Sequence, residues 1–113
     1  MLRVIKLIKP EEHLAIAEFK QKIIDKFGRA EVTIFGSKAR GNENVYSDID
    51  LLVLLEGEVN NSIEEEIFDL GFEVELKYDV ILGIVIYSKK FWNSSGKLLP
   101  LYNNISREGI IVQ

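Results

Sequence analysis

Two aspartates, Asp48 and Asp50, are the strongest candidates for chemistry in this chain. They stand at the start of the apolar run Ile49 to Leu55, which is typical of a strand buried on both faces. Because side chains along a strand alternate between faces, both carboxylates would point the same way. Upstream, the run Val32 to Phe35 predicts a strand that ends at the turn Gly36-Ser37. Paired carboxylates that face a Gly-Ser turn predict a site for a hard divalent cation and a phosphate.

The stretch from residue 36 to residue 53 resembles the nucleotidyltransferase superfamily that includes DNA polymerase β, and most closely its small members, the minimal nucleotidyltransferases. Their pattern is a Gly-Ser turn, a short helix that often carries Ala-Arg-Gly, and a strand that begins Ser-Asp-x-Asp. Each half of this pattern is weak alone, whereas both halves in this order and at this spacing form a specific signal. The matching positions are Gly36, Ser37, Ala39, Arg40, Gly41, Ser47, Asp48 and Asp50.

The resemblance implies transfer of a nucleoside monophosphate, AMP from ATP, to a hydroxyl group with release of pyrophosphate. Asp48 and Asp50 would then be catalytic and would bind Mg²⁺, which prefers carboxylates together with phosphate oxygens and water. Gly36 would let the backbone approach the triphosphate, and Ser37 would bind a phosphate. Arg40 has two interpretations of equal weight: it binds a phosphate, or it pairs with a nearby acid and holds the loop.

Lys38 lies in the same short segment, and we expect its side chain to be solvated, with a phosphate contact as the alternative. Ser47 is expected to cap the turn before the strand.

A third acid is expected near the start of the neighbouring strand, because active members of the family usually carry one there. Alignment by eye places this position at Ile81, which can neither bind a metal nor accept a proton. The nearest acid is Asp79, two residues earlier and on the same face of an extended strand. Asp79 is therefore the third catalytic candidate. Its alternative interpretation is a residue of a helix-to-strand turn, in which case turnover would be weak or absent.

Composition restricts the classes of function. The chain has 113 residues, enough for one domain, and no cysteine, which excludes disulfides and thiolate metal sites. A net charge of −4 argues against binding nucleic acid through bulk charge. No signal peptide is evident, and no apolar stretch approaches the roughly 20 residues that span a bilayer. We therefore expect a cytoplasmic protein without membrane contact.

The acceptor of the nucleotide is expected to come from another protein, since the chain shows no accessory domain that would grip a large substrate. The family resemblance implies the kind of partner: minimal nucleotidyltransferases are commonly paired with a small helical HEPN protein and act as antitoxins that transfer AMP onto a partner tyrosine. Two alternatives stay open. One is a catalytically silent module that binds a nucleotide, or neutralises a partner by contact through its last helix and the tail Ile110 to Val112. The other is an enzyme for a small molecule, with a pocket built by a homodimer.

The rest of the chain predicts an α/β fold, a small mixed sheet packed with helices, in a single domain over residues 1–113. Apolar spacing predicts helices over 10–27, 62–78 and 98–108, the second with Ser62 as its N-cap. Strands are predicted over 31–35, 49–55 and 80–87. The first two should run antiparallel, and the second and third parallel because a helix connects them. We expect the helices to cover largely one face of the sheet.

Overall fold

The computed structural model describes residues 9–41 and 48–113, so Ser47, predicted to cap the turn before the strand, lies outside the described residues. The chain forms a mixed sheet packed with helices. In chain order the elements are α1 (Pro10–Phe27), β1 (Ala30–Phe35), α2 (Ser37–Arg40), β2 (Ile49–Leu55), α3 (Asn61–Tyr78), β3 (Leu82–Ser88), α4 (Lys89–Trp92), a 3₁₀ turn (Ser95–Leu98), α5 (Pro100–Glu108) and β4 (Ile110–Ile111).

The sheet has four strands in the order β3-β2-β1-β4. β1 runs antiparallel to β2, and β2 runs parallel to β3. Both predicted orientations are confirmed, and α3 provides the crossover that the parallel pair needs. β4 pairs antiparallel with β1, with Ile34 opposite Ile110. The apolar tail therefore forms an edge strand of the sheet in its own chain.

Helices cover both faces of the sheet, so the prediction of a largely one-sided arrangement is wrong. Leu51, Val53 and Leu55 of β2 pack with α1 and α3 on one face. Leu52 and Leu54 pack on the other face with residues of α4 and α5. The physical reason is the continuous apolar run of β2, because a strand with apolar side chains on both faces needs cover on both. α5 supplies the second cover and starts at Pro100, a residue that suits the first helical turn.

Several element boundaries differ from the prediction by one or two residues, among them the start of β1 at Ala30 and of α5 at Pro100. α3 begins at Asn61, and its N-cap is Asn60 rather than Ser62. The Asn60 side chain accepts a hydrogen bond of 2.9 Å from the backbone N–H of Ile63, which satisfies one of the free donors of the first turn. β3 begins at Leu82 rather than residue 80, because α3 extends to Tyr78 and a short turn follows it.

Within residues 9–41 and 48–113, none of the helices is long and apolar enough to cross a membrane.

The capping of α3 gives the first prediction. Asn60→Ala should lower the free energy of unfolding by about 1 kcal/mol, because the N–H of Ile63 loses its acceptor. Ser62→Ala is the matched control and should leave stability within about 0.5 kcal/mol, since the Ser62 side chain is exposed. Urea denaturation followed by circular dichroism measures both. A larger effect at Ser62 than at Asn60 would contradict the assignment of the cap.

Candidate active site

The turn after β1 and the start of β2 meet at the Asp50 carboxylate. In the antiparallel register Phe35 lies opposite Asp50, so the next residue, Gly36, adjoins its side chain. On the other side, the parallel register places Gly83 of β3 opposite Asp50. A Cβ atom on Gly36 would overlap Asp50 Oδ2, and one on Gly83 would lie 2.6 Å from Oδ1. The carboxylate therefore fits between the two strands because both neighbours are glycines.

Gly36 is also constrained by its backbone. Its φ of 76° lies in the region that residues with a Cβ rarely adopt. This conformation ends β1 and allows α2 to begin directly at Ser37. The predicted constellation of a Gly-Ser turn beside the Asp48 and Asp50 segment is thus present in the fold. Contact of Gly36 and Ser37 with a triphosphate stays a prediction.

Two like charges lie close together at the start of β2. Asp48 is exposed, whereas Asp50 is half-buried. Burial raises the pKa of Asp50, and the neighbouring Asp48 carboxylate raises it further, while the charge of Arg40 opposes the shift. An environment that disfavours the ionised carboxylate is one that a cation would stabilise. The pair therefore has the electrostatics of a cation site.

The donor set fits Mg²⁺. This ion takes one or two protein carboxylates and fills its remaining positions with phosphate oxygens and water. In the part of the chain that the structure describes, no group of three or more His, Cys, Asp or Glu residues could hold a metal. Among the described residues, Asp48 and Asp50 would be the protein ligands, and the oxygens of a bound triphosphate would supply others.

Asp79 does not join this pair. It ends α3 in a left-handed conformation, with φ 54° and ψ 51°, and its side chain is exposed. Its role in the helix-to-strand turn is therefore visible, and its catalytic role stays a prediction. Ile81 lies nearer the pair. Its carbonyl accepts a 3.0 Å hydrogen bond from the Ile49 N–H, and Ile49 pairs with Leu82, so Ile81 adjoins Asp48.

Arg40 forms an ion pair. Its Nη1 donates to Glu108 Oε1 at 3.0 Å, with both side chains partly exposed. Of the two interpretations left open, the structure shows the ion pair, which connects α2 to the end of α5. Arg40 is also near enough to Asp50 to affect its pKa. The phosphate contact stays a prediction.

The prediction that the Lys38 side chain is solvated is wrong. The side chain is fully buried, and its Nζ lies 3.4 Å from Glu12 Oε2. The other oxygen of Glu12 accepts a 2.8 Å hydrogen bond from the Lys9 N–H at the start of α1. The ammonium group is tolerated inside because a buried carboxylate compensates its charge.

Three residues of the site were missed by sequence reasoning: Glu12, Gly83 and Glu108. A signal existed for Gly83, because a glycine inside an apolar strand often marks a close approach of another group. No signal existed for Glu12 and Glu108, since their partners lie 26 and 68 residues away in the chain. Such pairs become visible only when the helices are placed.

Comparison with known proteins identifies the family. The nucleotidyltransferase domain matches residues 16–112 of the chain. This chain belongs to the nucleotidyltransferase family. Two proteins of Methanocaldococcus jannaschii, both provisionally named as protein adenylyltransferases, are similar to it. MJ0141 is 36% identical over 78 residues, which is 66% of this chain and 77% of that protein. MJ0604 is 31% identical over 103 residues, which is 89% of this chain and 97% of that protein.

Two solved structures share the fold of this nucleotidyltransferase. One is a mutant of the MntA–HpeT toxin–antitoxin, with a TM-score of 0.60 over 87% of this chain and 71% of the other. The second is a toxin–antitoxin with AMP-PNP, with a TM-score of 0.58 over 88% and 70%. Each is 18% identical in sequence. These structures confirm the predicted fold.

The buried pair of Lys38 and Glu12 gives the second prediction. Lys38→Met should lower the free energy of unfolding by about 3 kcal/mol, because the Glu12 carboxylate stays buried without its cation. Adding Glu12→Gln should recover part of this loss, since the amide oxygen can still accept from the Lys9 N–H. Lys90→Met, at an exposed position of α4, is the control. Equal stability of Lys38→Met and wild type in chemical denaturation would refute the pair's role.

The glycines around Asp50 give the third prediction. Gly83→Ala should lower the rate of nucleotidyl transfer by about 100-fold, because the new Cβ displaces the carboxylate and a shift of about 1 Å can cost that much. Gly57→Ala is the matched control, since a Cβ there meets no atom within 4 Å. Thermal midpoints of both variants check that the fold is retained. Unchanged transfer by a folded Gly83→Ala variant would show that the position of Asp50 is not critical.

Proposed function

We propose that this nucleotidyltransferase is a Mg²⁺-dependent adenylyltransferase that transfers AMP from ATP to a hydroxyl group of a partner protein. We further propose that it acts as the antitoxin of a toxin–antitoxin pair, with a HEPN-type helical protein as its partner. The observation that carries the proposal is the Asp50 carboxylate, held between Gly36 and Gly83 with Asp48 beside it.

Each group of the site has a part in this reaction. Asp48 and Asp50 would hold the metal ion. The bound ion would neutralise charge on the triphosphate oxygens. Ser37 would bind a phosphate through its hydroxyl and backbone N–H, and Arg40 would contribute charge from the end of α2. The acceptor oxygen bonds to the α-phosphorus while the bond to pyrophosphate breaks. The hydroxyl proton passes to a carboxylate of the pair or to water.

The choice of nucleotide and partner draws support from the similar proteins. Both M. jannaschii relatives carry the name of protein adenylyltransferases, which supports AMP as the transferred group and a protein as the acceptor. The two similar structures are toxin–antitoxin assemblies, one with AMP-PNP, which supports a nucleotide and a toxin partner. The HEPN class of the partner rests on the family resemblance.

The test uses labelled ATP, Mg²⁺ and the product of the adjacent gene as the acceptor. Asp48→Asn with Asp50→Asn should lower label transfer by at least about 100-fold, since even groups outside the metal ligands are worth 10–100-fold. Asp25→Asn with Glu58→Gln removes two exposed carboxylates elsewhere and should leave the rate unchanged. Transfer that survives in the Asp48, Asp50 variant would count decisively against the proposal.

A second candidate function is a catalytically silent module that neutralises its partner by contact. The observation that favours it is Ile81, an isoleucine that adjoins Asp48 where active members of the family carry an acid. Under this alternative, calorimetry would show binding of ATP with Mg²⁺, and no acceptor would become labelled.

Variants at Asp79 and Ile81 give a further prediction. Asp79→Asn should leave transfer within about 3-fold of wild type and the thermal midpoint unchanged, because asparagine tolerates the left-handed conformation as well as aspartate does. Ile81→Asp should raise the rate, since its carboxylate would adjoin Asp48. Loss of transfer in a stable Asp79→Asn variant would instead establish Asp79 as the third catalytic acid.

A further inference from the structure

α3 carries an exposed apolar stripe. Phe68, Phe72 and Leu76 follow one another at intervals of four residues, which places them along one side of the helix. Their exposed fractions are 47%, 58% and 69%. The core side of α3 is formed by other positions, Ile67, Gly71 and Val74. Large apolar side chains in a continuous exposed row mark an interaction site in a water-soluble domain. We call these three residues the α3 stripe.

The α3 stripe and the catalytic carboxylates lie on opposite faces of the sheet. Asp50 alternates with Leu51 and so shares the face of Leu52 and Leu54, which packs on α4 and α5. α3 covers the other face. A molecule bound to the α3 stripe therefore leaves Asp48 and Asp50 accessible. The C-terminal end of α3 leads directly to Ile81, which is 62% exposed and adjoins Asp48 at the edge of the sheet.

Charge distinguishes the two sides of α3. On the side towards α1, the basic residues are neutralised: Lys22 pairs with Glu73, Lys26 with Glu66, and Lys77 with Glu18.

The side that carries the stripe is acidic. Glu65 and Asp69 are exposed beside it, and Asp79 is exposed at its end. None of these three acids forms an ion pair with another residue in the part of the chain that the structure describes. The stripe is thus an apolar surface with an uncompensated negative border.

This border argues against a second copy of the chain as the occupant. In an antiparallel pair of stripes centred on Phe72, Glu65 of one copy would face Asp79 of the other. Like charges that face each other across an interface disfavour the complex. A surface with apolar side chains and a border of Lys or Arg would instead complement both features.

We propose that the α3 stripe is the docking surface for the acceptor protein, and that this protein presents an apolar patch bordered by Lys and Arg. The inference rests on the proposed function for the identity of the occupant. Docking away from the carboxylates holds the acceptor at a high effective concentration, while a segment of it reaches around the edge at Ile81 to the site. The stripe then contributes to acceptor binding and leaves the chemical step unaffected.

The test measures binding and kinetics separately, with the product of the adjacent gene as the probe. Phe68→Ser, Phe72→Ser and Leu76→Ser are combined in one variant, which should fold because all three side chains are exposed. Its Kd for the probe should rise at least about 100-fold, because a few large side chains near the centre of an interface carry most of its binding energy. KM for the acceptor should rise with kcat unchanged, and the affinity for ATP should stay constant.

The matched control combines Leu14→Ser and Leu98→Ser, which removes exposed leucines elsewhere. It should bind the probe within about 3-fold of wild type. A further variant, Glu65→Lys with Asp69→Lys, tests the acidic border. It should weaken binding of the probe more at low salt than at high salt.

Three outcomes would overturn the proposal: equal affinity of the stripe variant and wild type, absence of a complex with the probe, or a wild-type dimer in light scattering that the stripe variant abolishes. Complex formation that depends on the stripe but yields no AMP transfer would support docking and reject the proposed function. AMP transfer by the stripe variant with an unchanged KM for the acceptor would support the proposed function and reject docking at the α3 stripe.

Discussion

A carboxylate that is partly removed from water needs space, a fixed position and a compensating charge, and the start of β2 supplies the first two of these to Asp50. Space comes from Gly36 and Gly83, because a Cβ at either position would collide with the carboxylate. Position comes from strand pairing on both sides, antiparallel with β1 and parallel with β3. Charge compensation is incomplete, since burial and Asp48 still raise the pKa of Asp50. A site whose negative charge is not fully compensated favours a bound cation.

The demand for a fixed carboxylate explains why the fold is organised around β2. A central strand with neighbours on both sides cannot slip in register, because a shift of one residue would turn every side chain to the opposite face. β2 is buried on both faces between two apolar clusters. The second cluster, with Trp92 and Ile105, comes from the C-terminal part of the chain. α4 and α5 therefore do more than fill space: they hold the face of the sheet on which Asp50 lies.

Much of this arrangement was predictable, because local patterns specify it. The run Ile49–Leu55 was predicted with the bounds that the structure has, and the Gly36 turn was placed beside it. The failures involve long-range interactions. The side of the sheet that α5 covers depends on packing, and the burial of Lys38 depends on Glu12, which belongs to another helix. A lysine after a Gly-Ser turn has the same local pattern whether it is solvated or paired.

The two cations of α2 differ in burial, and this difference decides how much each ion pair contributes to stability. Lys38 is fully buried against Glu12, and breaking such a pair costs about 3–5 kcal/mol, so it anchors α2 to α1. Arg40 pairs with Glu108 at a partly exposed position, where an ion pair is worth about 0–1 kcal/mol. A triphosphate bound at the proposed metal site could replace Glu108 as the partner of Arg40 at small cost, because the partly exposed ion pair that it would displace contributes little. The ion pair seen in the structure is therefore compatible with a phosphate-binding Arg40, whereas Lys38 cannot leave its partner without loosening the turn that begins at Gly36.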